Sequence, residues 1–204
     1  HPASQEFMDA LAELQQKKGV LIIFDEVQCG LGRTGKFFAF EHYGVRPDIL
    51  TLAKALGGGL PIGAAAAREE VAKVFQPGTH GSTFGGNPVA SAAAGAVLKV
   101  LQDDGLVENA ARIGEYMKAS LEKLQKKFSC IQQVRGMGML LGMELDRPGK
   151  DLVTLCQERG LLINCTAGRV IRFLPPLITK KEDVDEALGI LDDAFMICQD
   201  IKSK

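Results

Sequence analysis

Apolar residues recur at helical spacing at Phe7, Ala10, Leu11 and Leu14, behind a candidate N-cap at Ser4, and Gly19 closes the run. The predicted helix leads into residues 20–24 (VLIIF), an unbroken, partly β-branched run that ends at Asp25 and reads as a buried strand. A second such run, residues 49–53, stops just before Lys54, and residues 62–67 read as a third strand of small side chains. Residues 68–75 predict a short helix. Asn87 caps and Pro88 opens an alanine-rich helix that ends near Asp103, Asp104 and Gly105. Leu106, Ala110, Ile113, Met117, Leu121, Leu124 and Phe128 then fall three or four apart, the stripe of one long amphipathic helix.

Beyond that helix the pattern alternates. Strands are expected at residues 131–135, 140–145, 161–164 and 170–173, with a helix from Asp151 between the second and third. A final helix begins with a Thr179–Glu182 capping box and buries Val184, Leu188, Leu191 and Phe195. The first part of the chain therefore reads as αβ units of a larger sheet. The last part reads as a small α+β layer.

Composition removes several alternatives. The 204 residues carry a net charge of −1 with the basic residues scattered, which leaves no nucleic-acid face. Five cysteines, odd in number and without a Cys-x-x-Cys pair, predict free thiols in a reducing cytoplasm rather than a disulfide frame or a zinc site, and no metal site is expected. No apolar run approaches the roughly 20 residues that span a bilayer. The opening HPASQEF has no signal-peptide shape.

The chemistry centres on residues 51–63, TLAKALGGGLPIG. Lys54 would stand at the carboxyl end of a strand, where open α/β sheets bind ligands, and Gly57, Gly58 and Gly59 let the backbone approach one closely. A lone lysine there is more often solvated, but Asp25 ends the neighbouring strand in the same way. A lysine that forms an imine and an aspartate that keeps a ring nitrogen protonated are the two anchors of a pyridoxal phosphate site. Other signals fail on inspection. Gly30, Gly32 and Gly35 have dinucleotide-fingerprint spacing, yet KFFAFEHYG follows instead of a helix, and Phe37 after Gly35-Lys36 rules out a Walker loop. His80 has no nucleophile and carboxylate at a revealing spacing. The stretch THGSTFGGNP has the composition of a phosphate-gripping turn. Arg172 interrupts an apolar strand, as a surface alternation or as a fork aimed at a carboxylate.

The stretches DEVQCGLGRTGKFFAFEHYGVRPDILTLAKALGGGLPIGA and HGSTFGGNP closely resemble the class III (ornithine-type) aminotransferases of the fold type I pyridoxal phosphate enzymes. LLINCTAGRVIRFLPPL is most similar to their acetylornithine branch. The resemblance covers nearly the whole chain as the carboxy-terminal half of that family. With no leading methionine, the chain is expected to be a fragment. It implies an α/β fold: residues 1–102 as the second half of a large domain with a mostly parallel sheet, and 103–204 as an interdomain helix plus a small α+β domain.

The resemblance also implies roles. Lys54 is the Schiff-base lysine that carries a proton between substrate and cofactor, and Asp25 holds the pyridinium nitrogen. Gln28 lies near the ring hydroxyl. Thr83 with Ser82 reaches the cofactor phosphate or the substrate across a subunit interface, which makes a homodimer the working unit. Arg172 binds the α-carboxylate of glutamate or 2-oxoglutarate. Glu26 and Arg135 are expected to be structural, and the role of Arg169 is open. The implied reaction moves the terminal amino group of N2-acetylornithine to 2-oxoglutarate in the cytoplasm. Ornithine or 4-aminobutyrate are rival donors, and an inactive fragment that only binds pyridoxal phosphate or dimerises is a further reading.

Overall fold

In the computed structural model, which describes residues 1–200, the helix α1 spans Gln5–Lys18 between the ends that the sequence marks. The Ser4 hydroxyl accepts the Phe7 N–H at 3.2 Å, and Gly19 takes a left-handed φ of 65°. Three strands follow: β1 (Ile23–Asp25), β2 (Ile49–Leu52) and β3 (Ala64–Ala67), in the sheet order β1-β2-β3. β1 and β2 run parallel with Asp25 opposite Thr51, and β3 runs antiparallel to β2. The helix α2 (Glu69–Ala72) is shorter than residues 68–75 predict, and α3 (Pro88–Asp103) is capped by the Asn87 side chain.

One buried carboxylate organises this first unit, Ala3–Glu108. Asp48 accepts the Ile22 N–H at 2.8 Å, the Gln15 side-chain amide at 2.7 Å and the Arg68 guanidinium at 2.8 Å. It thereby joins α1, the entry to β1, the entry to β2 and the residue that follows β3. In the sequence, Arg46-Pro47-Asp48 reads only as punctuation. In these 204 residues Leu21 is 56 % and Ile23 59 % exposed, while Ile22 between them is buried.

The second unit, from Asn109 onward, contains most of α4 (Leu106–Lys127) and an antiparallel sheet in the order β4-β5-β7-β6. Its strands are β4 (Ile131–Met137), β5 (Leu140–Leu145), β6 (Asn164–Thr166) and β7 (Val170–Phe173), with α5 (Lys150–Glu158) and α6 (Lys181–Asp200) completing it. β6 starts later than its apolar residues predict. Alternation divides the sheet cleanly. Leu141, Met143, Leu145, Ile171 and Phe173 enter a core with Ile113, Leu121, Leu191 and Phe195, and the Phe128 and Phe195 rings stack at 5.0 Å. Gly114 lets α4 touch the β4–β5 turn, since a Cβ there would lie 2.3 Å from the Gly138 carbonyl carbon. The start of α6 differs by one residue from the expected box. The Asp183 carboxylate accepts the Lys180 N–H at 2.7 Å, while the Thr179 carbonyl accepts the Asn109 amide at 3.0 Å. Thr179 is buried, so the exposed Lys180–Asp183 pair performs the capping.

Among the described residues no helix is long and apolar enough to cross a membrane, and no His, Cys, Asp and Glu group forms a metal site.

Two outcomes test this packing. Gly114→Ala forces backbone apart rather than a flexible side chain, and it is expected to lower stability in urea titration by about 3 kcal/mol, the upper end for overpacked cores. Asp48 supplies an acid-side signature. The Ile22 N–H, then the Gln15 amide and the Arg68 charge, hold its carboxyl below the ordinary value. Its contribution is thus present above the unfolded carboxyl value of about 3.9 and is lost as pH falls through the lower folded value. Asp48→Asn should flatten that part of the stability–pH curve.

Candidate active site

The parallel β1–β2 pair brings two strand ends to one edge of the sheet. Asp25 is the last residue of β1, the Glu26 N–H donates to the Thr51 carbonyl at 3.0 Å, and Lys54 follows β2 by two residues. The Asp25 carboxylate is oriented by two donors, the Val27 N–H at 3.0 Å and the Thr51 hydroxyl at 3.1 Å. Both bind Oδ1. The Oδ2 atom accepts from no described residue, and the side chain is exposed.

Lys54 has a φ of 47°, a left-handed backbone that costs a non-glycine residue on the order of 1–3 kcal/mol and occurs preferentially at functional sites. The conformation is held by the turn it begins. Lys54–Gly57 forms one 3₁₀ turn, the Leu56 N–H returns to the Ala53 carbonyl at 3.0 Å, and Leu56 is buried. Gly58 closes it in a left-handed conformation, where a Cβ would lie 2.9 Å from the Val97 side chain of α3. Small size at Gly58 therefore seats the turn on α3, and the Lys54 side chain stays exposed.

Glu26, next to Asp25, has a different fate. It is buried, and its two oxygens accept the Ala39 and Phe40 N–H groups at 2.8 and 2.9 Å, the start of a short 3₁₀ helix. Both of its oxygens are thereby committed to backbone. The neighbouring Cys29 thiol is pushed up to about 11, mainly by burial and then by the Glu26 charge. Gln28 is exposed in the turn after Asp25. No helix begins among Gly30, Gly32 and Gly35, which lie in turns. Ser82 and Thr83 occupy an exposed segment between α2 and α3, and none of the hydrogen bonds that fix Asp25 or the Lys54 turn reaches them. His80 packs edge-on to the Phe75 ring.

In the second unit Arg172 is half-buried on β7, opposite Gly142 of β5 and Asn164 of β6. Its Nε donates to the Asn164 Oδ1 at 3.3 Å, and both residues line a cavity of about 830 Å³ with apolar walls that include Leu162, Phe173 and Ile178. Arg135 and Arg169 each hold one oxygen of Glu144, at 2.6 and 2.8 Å. Arg169 thus acquires a partner that its sequence position did not disclose. The contacts of Thr51 and Asn164 were likewise invisible along the chain, because both are cross-strand neighbours.

The class III aminotransferase family matches residues 1–195. The chain belongs to that family. The class III chain is 51 % identical over 199 residues to the acetylornithine aminotransferase of Methanocaldococcus jannaschii, covering 96 % of this chain and 49 % of that one. It is 51 % identical over 189 residues to the Aquifex aeolicus acetylornithine aminotransferase, covering 93 % and 48 %. Among solved structures, an ornithine aminotransferase from Toxoplasma gondii superposes with a TM-score of 0.93 at 40 % identity, over all of this chain and 49 % of that one. The acetylornithine aminotransferase of Elizabethkingia anophelis does so with 0.90 at 40 % identity, over 95 % and 50 %. These likenesses bear out the predicted aminotransferase α/β fold. The chain spans about half the length of the curated relatives it matches.

Alkylation tests the burial of Cys29 and its closeness to Glu26. With its thiol raised from 9.0 to about 11, native Cys29 holds about a hundredfold less thiolate than an unperturbed cysteine. Mass spectrometry after iodoacetamide treatment at pH 8 should show Cys29 slow in the native chain and ordinary in urea.

Proposed function

We propose that this chain carries the lysine half of a pyridoxal phosphate-dependent aminotransferase that moves the terminal amino group of N2-acetylornithine to 2-oxoglutarate, giving glutamate. One observation supports the reading above the others: the β1–β2 register sets Asp25, with one carboxylate oxygen committed and the other open, on the same sheet edge as the strained Lys54. These residues fit the cofactor. An anionic oxygen without a protein donor suits a protonated pyridine nitrogen, and an exposed amine after β2 is open to an aldehyde.

When bound, the cofactor supplies an electron sink for the carbanion left when the amine-bearing carbon loses its proton. Asp25 Oδ2 would hold the proton on the ring nitrogen, and the Val27 N–H and Thr51 hydroxyl keep the carboxylate aimed. Lys54 Nζ would take the proton from the substrate carbon and deliver it to the cofactor carbon that keeps the amino group, work that depends on a positioned base. Gln28 would serve the ring hydroxyl. Ser82 and Thr83 serve the phosphate or the substrate of a second copy, so a homodimer is the working unit. Arg172 receives the α-carboxylate of glutamate or 2-oxoglutarate. In this reading residues 1–102 belong to the cofactor-binding domain and 103–204 to the interdomain helix and small domain.

The names and identities of the curated relatives support N2-acetylornithine as donor. Ornithine is the second reading, supported by the likeness to the Toxoplasma gondii enzyme, whose structure is described with partial occupancy of pyridoxal phosphate at its active site.

An absorbance titration tests the proposal. The chain mixed with pyridoxal phosphate should develop a visible band that shifts on adding glutamate, and Lys54→Ala should show neither change. In the complete enzyme Lys54→Ala is expected to lose roughly a thousandfold or more in turnover. A band of equal intensity in Lys54→Ala would remove the lysine from its role. No band in either protein would mean that these residues alone do not assemble the site.

A further inference from the structure

The polar face of the small sheet carries a row set by register: Arg135 on β4, Gly142 on β5, Arg172 on β7 and Asn164 on β6. Directly paired residues present their side chains to the same face. Gly142 has no side chain, so Asn164 is the neighbour in the row that reaches Arg172, and it accepts the Nε–H at 3.3 Å. Glu144 stands diagonally to Arg172, at a separation that long side chains span. It is already engaged, with Oε2 on Arg135 and Oε1 on Arg169. Among the described residues no carboxylate pairs with Arg172.

A guanidinium is a planar fork of five N–H donors. With Nε bound to an amide, the plane is set, and among the described residues nothing pairs with the two Nη groups, which leaves them for a ligand. Arg172 and Asn164 also line the same cavity of about 830 Å³. We infer that Asn164 is a positioning residue, which orients the Arg172 guanidinium and directs its Nη pair at a substrate carboxylate. The inference rests on the reading that Arg172 is the carboxylate anchor. A neutral acceptor suits the role because an acid at the same place would pair with Arg172 and compete with the substrate. Arg135 and Arg169 prevent that competition on the other side by saturating Glu144.

Glutarate separates the two claims, since it has two carboxylates but neither an amino nor a keto group to react. Calorimetric binding to the protein loaded with pyridoxal phosphate would be compared across Asn164→Ala, Asn164→Asp and Arg172→Ala. The KM for 2-oxoglutarate and kcat would be measured in the same set. Asn164→Ala should weaken glutarate about tenfold and raise KM with kcat nearly unchanged. Asn164→Asp keeps the side-chain shape and should weaken binding further at neutral pH, then recover it as the introduced carboxyl is protonated. A merely structural role would not give that pH dependence. Arg172→Ala should abolish binding. Glutarate affinity unchanged in both Asn164 variants, with binding lost in Arg172→Ala, overturns the role of Asn164 alone. Binding retained in Arg172→Ala overturns the anchor reading beneath it.

Discussion

The buried carboxylate of Asp48 ties the entry of β1 to the entry of β2, and by doing so it decides which residues meet at the far ends of those strands. The Ile22 N–H donates to the carboxylate, and the Asp48 and Ile49 N–H groups return to the Ile22 carbonyl. From that anchor the register runs Ile23 opposite Ile49 to Asp25 opposite Thr51. Side chains alternate along a strand, so a slip of one residue would turn Asp25 to the other face and separate it from the Thr51 hydroxyl. The site geometry at one end of the sheet is therefore inherited from an interaction at the other.

Asp25 and Glu26 show how burial assigns opposite roles to adjacent acids. Glu26 is enclosed and spends both oxygens on backbone N–H groups, the arrangement that a buried charge requires. Asp25 is exposed and spends only Oδ1. The first fixes the path of the chain after β1, and the second is left with capacity for a ligand. Strain is treated similarly at Lys54: the unfavourable φ persists because the buried Leu56 and the Gly58 contact with α3 over-determine the turn.

In the second unit the same logic governs arginines. Arg135 and Arg169 are neutralised by one glutamate, and Arg172, three residues beyond Arg169, meets an amide instead. What distinguishes the three is the register of the sheet, not their local sequence. Gly142 contributes by what it lacks, since any side chain there would stand between Arg135 and Arg172 on the polar face.

Much of this protein was determined by the sequence alone. The caps at Ser4, Gly19 and Asn87, the stripe of α4 and the limits of β5 and β7 depend on local hydrogen bonding and periodicity, and both are written into adjacent residues. The placement of Lys54 and Asp25 at one end of the sheet was legible because each follows or ends an apolar run, and the carboxyl ends of two adjacent parallel strands lie at the same end. Tertiary structure alone decided the rest. Only folding buried Asp48, moved the α6 cap to Lys180 and Asp183, and divided Glu144 between two arginines. Those outcomes depend on which side chains arrive from distant segments, and the free energy of a buried charge or an apolar face depends on that company rather than on its neighbours in the chain.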